Sequence, residues 1–244
     1  YAARVVSPSL TRGGPAGISP GAGTASLSLS TDPRKPVRIS GGGSYTRNDL
    51  DGHWTDVYSA LTVRPSNTVS VSVSPSYSVS LTPQQYLAGR TDATAAATFG
   101  RRYLFAEIAQ RSLDLTTRLD VTLTTNLSLQ LYTQPFVATG DYSRFKEFAA
   151  PRTSDYIVYG ETPGSSLTPV TNPDGSVAAY DLDPDGAGPR PVVRVGNPDF
   201  SSRSLRGNAV LRWEYRPGST LFLVWTNSCS AYGSQPVFDA ANDL

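Results

Sequence analysis

Along most of this chain apolar residues return at every second position. Leu113, Leu115, Leu119, Val121 and Leu123 alternate with Asp114, Thr116, Arg118, Asp120 and Thr122. That period gives an extended strand with one apolar and one polar face. The pattern restarts after Thr124-Thr125-Asn126 as Leu127, Leu129 and Leu131 against Ser128, Gln130 and Tyr132, so a very short turn joins two strands into a hairpin. The same alternation predicts strands at residues 25–30, 37–47, 54–64, 69–81, 204–216 and 220–227. Gly41-Gly42-Gly43 weakens the second of these or bends it. Arg216-Pro217-Gly218-Ser219 suits a type II turn, with Pro at its second position and Gly at its third.

The connections alternate in length. They are short at residues 32–36, 65–67, 124–126 and 217–219, and longer at 48–53, 82–100 and 137–202, while residues 1–23 read as loop. Bacterial outer-membrane barrels carry short turns on the periplasmic rim and long loops on the extracellular one. A soluble sandwich has no reason to alternate. The spacing therefore predicts an all-β domain over residues 1–244, an antiparallel transmembrane β-barrel with about eight strands in this chain. Residues 137–202 become a long extracellular loop within it, of a length that is usually functional or mobile. The competing architecture is a soluble antiparallel sandwich with one solvated face.

Composition narrows the partners. The 21 Lys+Arg and 20 Asp+Glu nearly cancel, and no basic run interleaves with aromatics, which argues against nucleic acid. Cys229 is the only cysteine, so an internal disulfide is excluded and the usual zinc sites lack ligands. No apolar run reaches helix-spanning length, which leaves strands as the way across a membrane.

A barrel also explains charge on the strands. Asp114, Arg118, Asp120, Arg212, Glu214 and Arg216 all fall on the polar positions, more charge than a dry sandwich core accepts, and a wet lumen would hold them. Pairing between neighbouring strands is then expected. Asp181-Leu182-Asp183-Pro184-Asp185-Gly186 places carboxylates at positions 1, 3 and 5 and Gly at position 6, as in the first half of a calcium loop, although Val192 stands where the closing Glu would be. An acidic turn is the plainer reading of Asp181, Asp183 and Asp185, with calcium as the cofactor to test. His53, the only histidine, lies close in sequence to Asp56 and Ser59, but a hydrolytic triad needs convergence in space and not adjacency in the chain.

Arg102 to Glu107, Asn126 to Phe136, and above all the block from Arg206 to Leu221 with Asn197-Pro198-Asp199-Phe200 before it, resemble one family. It is domain-of-unknown-function family 5916, large bacterial proteins in which an outer-membrane β-barrel follows a carbohydrate-binding-like domain. The resemblance implies location in the bacterial outer membrane and contact with its lipid. It also implies the C-terminal part of a larger barrel, with a closing strand and aromatic end that Ala240-Ala241-Asn242-Asp243-Leu244 does not supply. The resemblance does not extend to the carbohydrate-binding-like domain, to which no residue of this sequence is expected to correspond. The function expected is a pore or surface-binding role for a glycan, peptide or other small solute. The alternatives are a structural or assembly protein of the cell surface and an outer-membrane hydrolase.

Overall fold

The structure, a computed structural model, describes residues 1–236 and Phe238. The chain end at residues 240–244, expected to lack a closing aromatic strand, lies outside the described residues. A ribbon of β1 (Val5–Ser7) and β2 (Gly17–Ser19) comes first. Six longer strands follow: β3 (Ala22–Ser30), β4 (Val37–Asn48), β5 (His53–Ser66), β6 (Val69–Thr91), β7 (Arg101–Thr124) and β8 (Leu127–Phe148). An insertion then carries β9 (Tyr156–Val158), β10 (Ser166–Thr171), β11 (Val177–Asp183) and β12 (Val193–Gly196), and β13 (Phe200–Arg216) and β14 (Ser219–Gly233) complete the order. The protein is all-β with antiparallel sheets. Among the described residues no helix is long and apolar enough to cross a membrane, which says nothing of strands.

Eight of these strands make one meander in the order β14-β13-β8-β7-β6-β5-β4-β3. They are the eight that alternation predicts. The sheet is open, with β3 and β14 at its edges, and no closed barrel is present among the described residues. Directly paired residues share a face, so the register sorts the whole sheet. Ser28 pairs Gly42, Gly42 pairs Tyr58, Tyr58 pairs Ser76, Ser76 pairs Asp114, Asp114 pairs Phe136, Phe136 pairs Ser204, and Ser204 pairs Ser230. The row beside it carries Leu29, Gly41, Leu205 and Cys229. One face is thus rich in serine and charge, the other in aliphatic and aromatic side chains.

Proline is expected only at sheet edges, yet Pro75 and Pro135 stand inside β6 and β8. Pro75 pairs Leu115, and Pro135 pairs Leu205. The β5–β6 ladder is interrupted between Tyr58 and Leu61, and the β7–β8 ladder between Asp114 and Thr117, next to these two residues. A missing N–H costs one rung there, and the sheet continues past it.

The core lies at the loop end, where three segments read as connections turn out to be structured. β6 runs on to Thr91 and β8 to Phe148, and residues 137–202 contain four further strands. The reason is burial on both faces. From Arg102 to Ile108 every side chain of β7 is buried, so alternation gives way to an unbroken run. On one side Leu104 and Ala106 pack with Phe145, Tyr159, Leu182 and Val195, which brings the β10–β11–β12 sheet over the polar-face side. On the other side Tyr103, Phe105 and Phe148 pack with Leu10 and Tyr156, so the N-terminal segment covers the apolar-face side. Leu119, Val121 and Leu211 belong to neither cluster.

One residue switches β8 between these two covers. Register shifts by one between Phe105 and Glu107, and Arg144 takes a left-handed conformation, φ 45°, as the extra residue of a bulge. Leu104→Ala should therefore lower stability by about 2–5 kcal/mol, the range for emptying a packed aliphatic site. Chemical denaturation that follows protection of the loop-end amides would measure it, and a loss near zero would mean that these covers do not pack.

Candidate functional site

The polar face and the loop-end cap carry the chemistry. Asp114, Arg118, Asp120, Arg212 and Glu214 fall on polar-face rows of β7 and β13, and Arg216 stands at the register shift that ends β13. Their partners differ from the expected cross-strand ion pairs. Asp114 accepts from the Gln134 amide (Nε2 to Oδ2, 2.6 Å) and from the Thr116 hydroxyl (3.1 Å). Arg118 lies over the Tyr132 ring, 5.3 Å from its centroid, and the Tyr132 hydroxyl donates to Gln134 at 2.8 Å. Arg212 does meet Glu214, but along one strand at 3.5 Å and in the open, where such a pair contributes little. Amides, hydroxyls and a ring thus take the place of opposite charges. Between Arg118, Asp120, Gln130, Tyr132 and Asn208 lies an open recess of ≈ 410 Å³.

Above this face the cap holds a buried ionic network that sequence reading misses. The Arg102 guanidinium donates to Glu147 Oε2 (2.5 Å), to the Tyr159 hydroxyl (2.7 Å) and to the Pro191 carbonyl (2.7 Å). Tyr159 in turn donates to Glu147 (2.8 Å), and Arg190 reaches Glu147 Oε1 (2.9 Å). Asp92 Oδ2 stands 3.6 Å from Arg102, and Asp92 Oδ1 accepts from the Thr94 amide and hydroxyl. Only 1% of the Arg102 side chain is exposed and 4% of Glu147, so both charges depend on this set of partners. Burial works against the Asp92 carboxylate, but the Thr94 hydroxyl and amide with the Arg102 and Arg190 charges hold it below the ordinary range. Burial pushes the Tyr156 phenol up to about 12, against a hydrogen bond from Gln84, and pushes Tyr159 up further with help from the Glu147 charge.

A second cluster sits at the bulge on the opposite side. Glu107 Oε1 accepts from Arg144 (2.7 Å) and Lys146 (3.3 Å), while Arg144 also forks onto Glu161 (2.8 and 3.0 Å). Burial lowers the Lys146 ammonium, and Glu107 offsets part of that shift.

The calcium reading finds no converging donors. Asp181 is held by Arg194 through two bonds of 2.7 Å, Asp183 Oδ1 accepts from the amides of Asp185 and Gly186, and Asp185 Oδ2 accepts from the Arg190 amide. Among the described residues no group of three or more His, Cys, Asp or Glu side chains is placed to hold a metal. Parity separates the three residues that lie close in sequence around His53. His53 and Ser59 take the row positions of one face, and Asp56 takes the other, where Ser44 and Ser78 donate to it. Cys229 is exposed and unpaired with sulfur.

Glu147→Ala would leave Arg102 buried without its main counterion and should cost about 3–5 kcal/mol. Arg194→Ala, which breaks an exposed pair, should cost about 0–1 kcal/mol. Amide exchange over β9–β12 separates the two, and equal losses would contradict the network. The phenols set a second expectation. Their folded pKa values lie above the ordinary 10.0, so above pH 10 the unfolded chain binds fewer protons and stability falls as pH climbs toward 12. Near-ultraviolet titration of Tyr156→Phe should lose a component near pH 12 that the parent chain shows. No family model, curated protein or solved structure matches this chain.

Proposed function

We propose that the meander is wall of a β-barrel in the bacterial outer membrane, its apolar face against lipid, its polar face against water and its cap in the aqueous phase at one rim. The observation that carries this reading is the uncovered apolar face. Leu27 is 68% exposed, Leu223 66% and Trp225 58%, with Val57, Leu61 and Leu123 also exposed. A water-soluble monomer rarely leaves so wide an apolar surface bare. The band has ends. On β7 it runs from Leu113 to Leu123, stopped on the cap side by Arg111, Glu107 and Lys146. Eleven residues at about 3.4 Å rise, tilted about 40°, span roughly 28 Å, close to the hydrocarbon thickness of about 30 Å.

In hydrocarbon every backbone donor and acceptor needs a partner, so the open edges β3 and β14 call for further strands, as part of a larger barrel would have. The family resemblance points the same way, but no family match stands behind it, and the reading rests on the faces. Uptake or surface binding of a small polar solute, a glycan or peptide, is the role proposed. The β10–β12 sheet over the polar-face side favours gated access or surface binding over a permanently open pore. A structural role in the envelope is the second reading, favoured if no solute passes.

The three tryptophans test orientation. Trp213 and Trp225 hold apolar-face rows, and Trp54 pairs Thr46 and Ser80 on the polar face. In vesicles with brominated acyl chains, a variant keeping only Trp225 should be quenched several-fold more than one keeping only Trp54. Equal quenching would return the chain to the soluble sandwich class. Liposome swelling with a panel of sugars and peptides then separates solute passage from a structural role.

A further inference from the structure

At the opposite end of the sheet from the cap, the turn before β4, the β5–β6 turn and the end of β7 enclose an open recess of ≈ 570 Å³. Arg34, Lys35 and Arg64 line it together with Asn67, Ser70 and Asp120. Its walls are fixed by the backbone. The Arg64 amide donates to the Pro36 carbonyl at 2.7 Å, and the Thr122 amide to the Thr68 carbonyl at 2.7 Å. Asp32, the nearest acid in sequence, spends an oxygen on the Arg34 amide at 2.9 Å.

Three cations therefore face one carboxylate. Among the described residues none of Arg34, Lys35 and Arg64 is in an ion pair, and Asp120 is the only acid of the lining. Cations that line one recess repel one another wherever they stand closer than a screening length, about 10 Å at 0.1 M salt, and an anion entering between them removes that repulsion. Two guanidinium forks suit the oxygens of phosphate. Asn67, Thr68 and Ser70 add neutral donors beside them. Asp120 works against a highly charged polyphosphate and can accept from a protonated oxygen.

We propose that this recess binds a single phosphate group, carried by a soluble solute or by a lipid headgroup. Ser70, Asp120 and Thr122 hold polar-face rows, so the recess opens on the side of the sheet away from the apolar band. The proposal does not require the sheet to lie in a membrane, and either reading can fail alone.

Titration calorimetry on the full chain in a phosphate-free maltoside detergent tests it, with inorganic phosphate and monomeric dihexanoyl phosphatidylglycerol as separate probes and sodium chloride matching ionic strength. Saturable 1:1 binding is expected for at least one probe. Phosphate alone assigns a soluble source; the lipid alone assigns a headgroup. Arg64→Gln should weaken binding at least tenfold, Lys35→Gln, on an exposed turn that folding does not need, several-fold, and Asp120→Asn should tighten it. No saturable binding with either probe, binding that chloride abolishes equally, or binding indifferent to both Arg64→Gln and Lys35→Gln overturns the proposal.

Discussion

Parity is the constraint on which this structure depends. A strand's side chains alternate strictly, so a slip of one residue would carry an entire apolar row to the polar face. The meander avoids that slip across seven successive pairings. β3–β4, β4–β5 and β8–β13 run without a shift, and the irregularities elsewhere fall beside turns, at Val63, Thr122 and Glu214, or toward the cap, at Thr82, Tyr86 and Phe105. Between those limits each residue's face follows from its number alone. Where parity does break, it breaks to a purpose. The extra residue at Arg144 turns Phe145 and Glu147 to the side of Leu104 and Ala106, and Lys146 and Phe148 to the side of Phe105. Left-handed backbone at a residue with a Cβ is unfavourable, and the ion pairs of Arg144 to Glu107 and Glu161 hold it there.

The cap depends on the same switch. With Glu147 on the inner side, Arg102 can join four pieces of chain: β8 through Glu147, the end of β9 through Tyr159, the insertion through Pro191 and the β6–β7 connection through Asp92. A buried ion pair adds little net stability over an apolar substitute, because both charges must first leave water. Its directional bonds act on arrangement instead. An apolar residue at position 102 would pack against any of these segments in many orientations, whereas the guanidinium accepts one. The aromatic cluster of Phe105, Phe148, Tyr156 and Tyr86 supplies the apolar attraction on the other side.

The eight-stranded sheet was legible in the sequence because its two faces carry unlike side chains, and a strand with unlike faces shows them as unlike residues at alternate positions. All eight strands and the facing of Asp114, Arg118 and Asp120 follow from that. The cap was not legible for the complementary reason. Residues buried on both faces lose alternation, as in Tyr103-Leu104-Phe105-Ala106, and bulges at Arg144 and in β6 break the count, so 82–91 and 137–148 read as connection. Pro135 looked like a strand end and is an interior position missing one rung. The network around Arg102 joins residues 45 positions apart, Arg102 and Glu147, which no local pattern reveals. The one available signal was an unbroken apolar run flanked by Arg102 and Glu107, the mark of a strand covered twice. At Asp181 to Asp185 the spacing resembles a calcium loop, while Arg194 holds Asp181 and backbone amides donate to Asp183 Oδ1 and Asp185 Oδ2, as the plainer reading of an acidic turn expects.

The polar face is also graded along its length, and the gradient bears on what it could recognise. Toward the cap Asp56 is held by Ser44 and Ser78, and midway Asp114 is held by Gln134 and Thr116, so their charges are already engaged within the sheet. Serines fill the rows between, giving a wall of hydroxyls that each donate and accept without fixed charge. Toward the short turns the partners thin out. Among the described residues Asp120 has no hydrogen bond to another side chain, Arg118 has only a ring, and Arg34, Lys35 and Arg64 are in no ion pair. A solute on this face would therefore meet weak, interchangeable contacts along the hydroxyl rows and charge it can bind at the turn end. Engaged carboxylates near the cap hold structure; cations in no ion pair at the turn end are the groups left to act on something else.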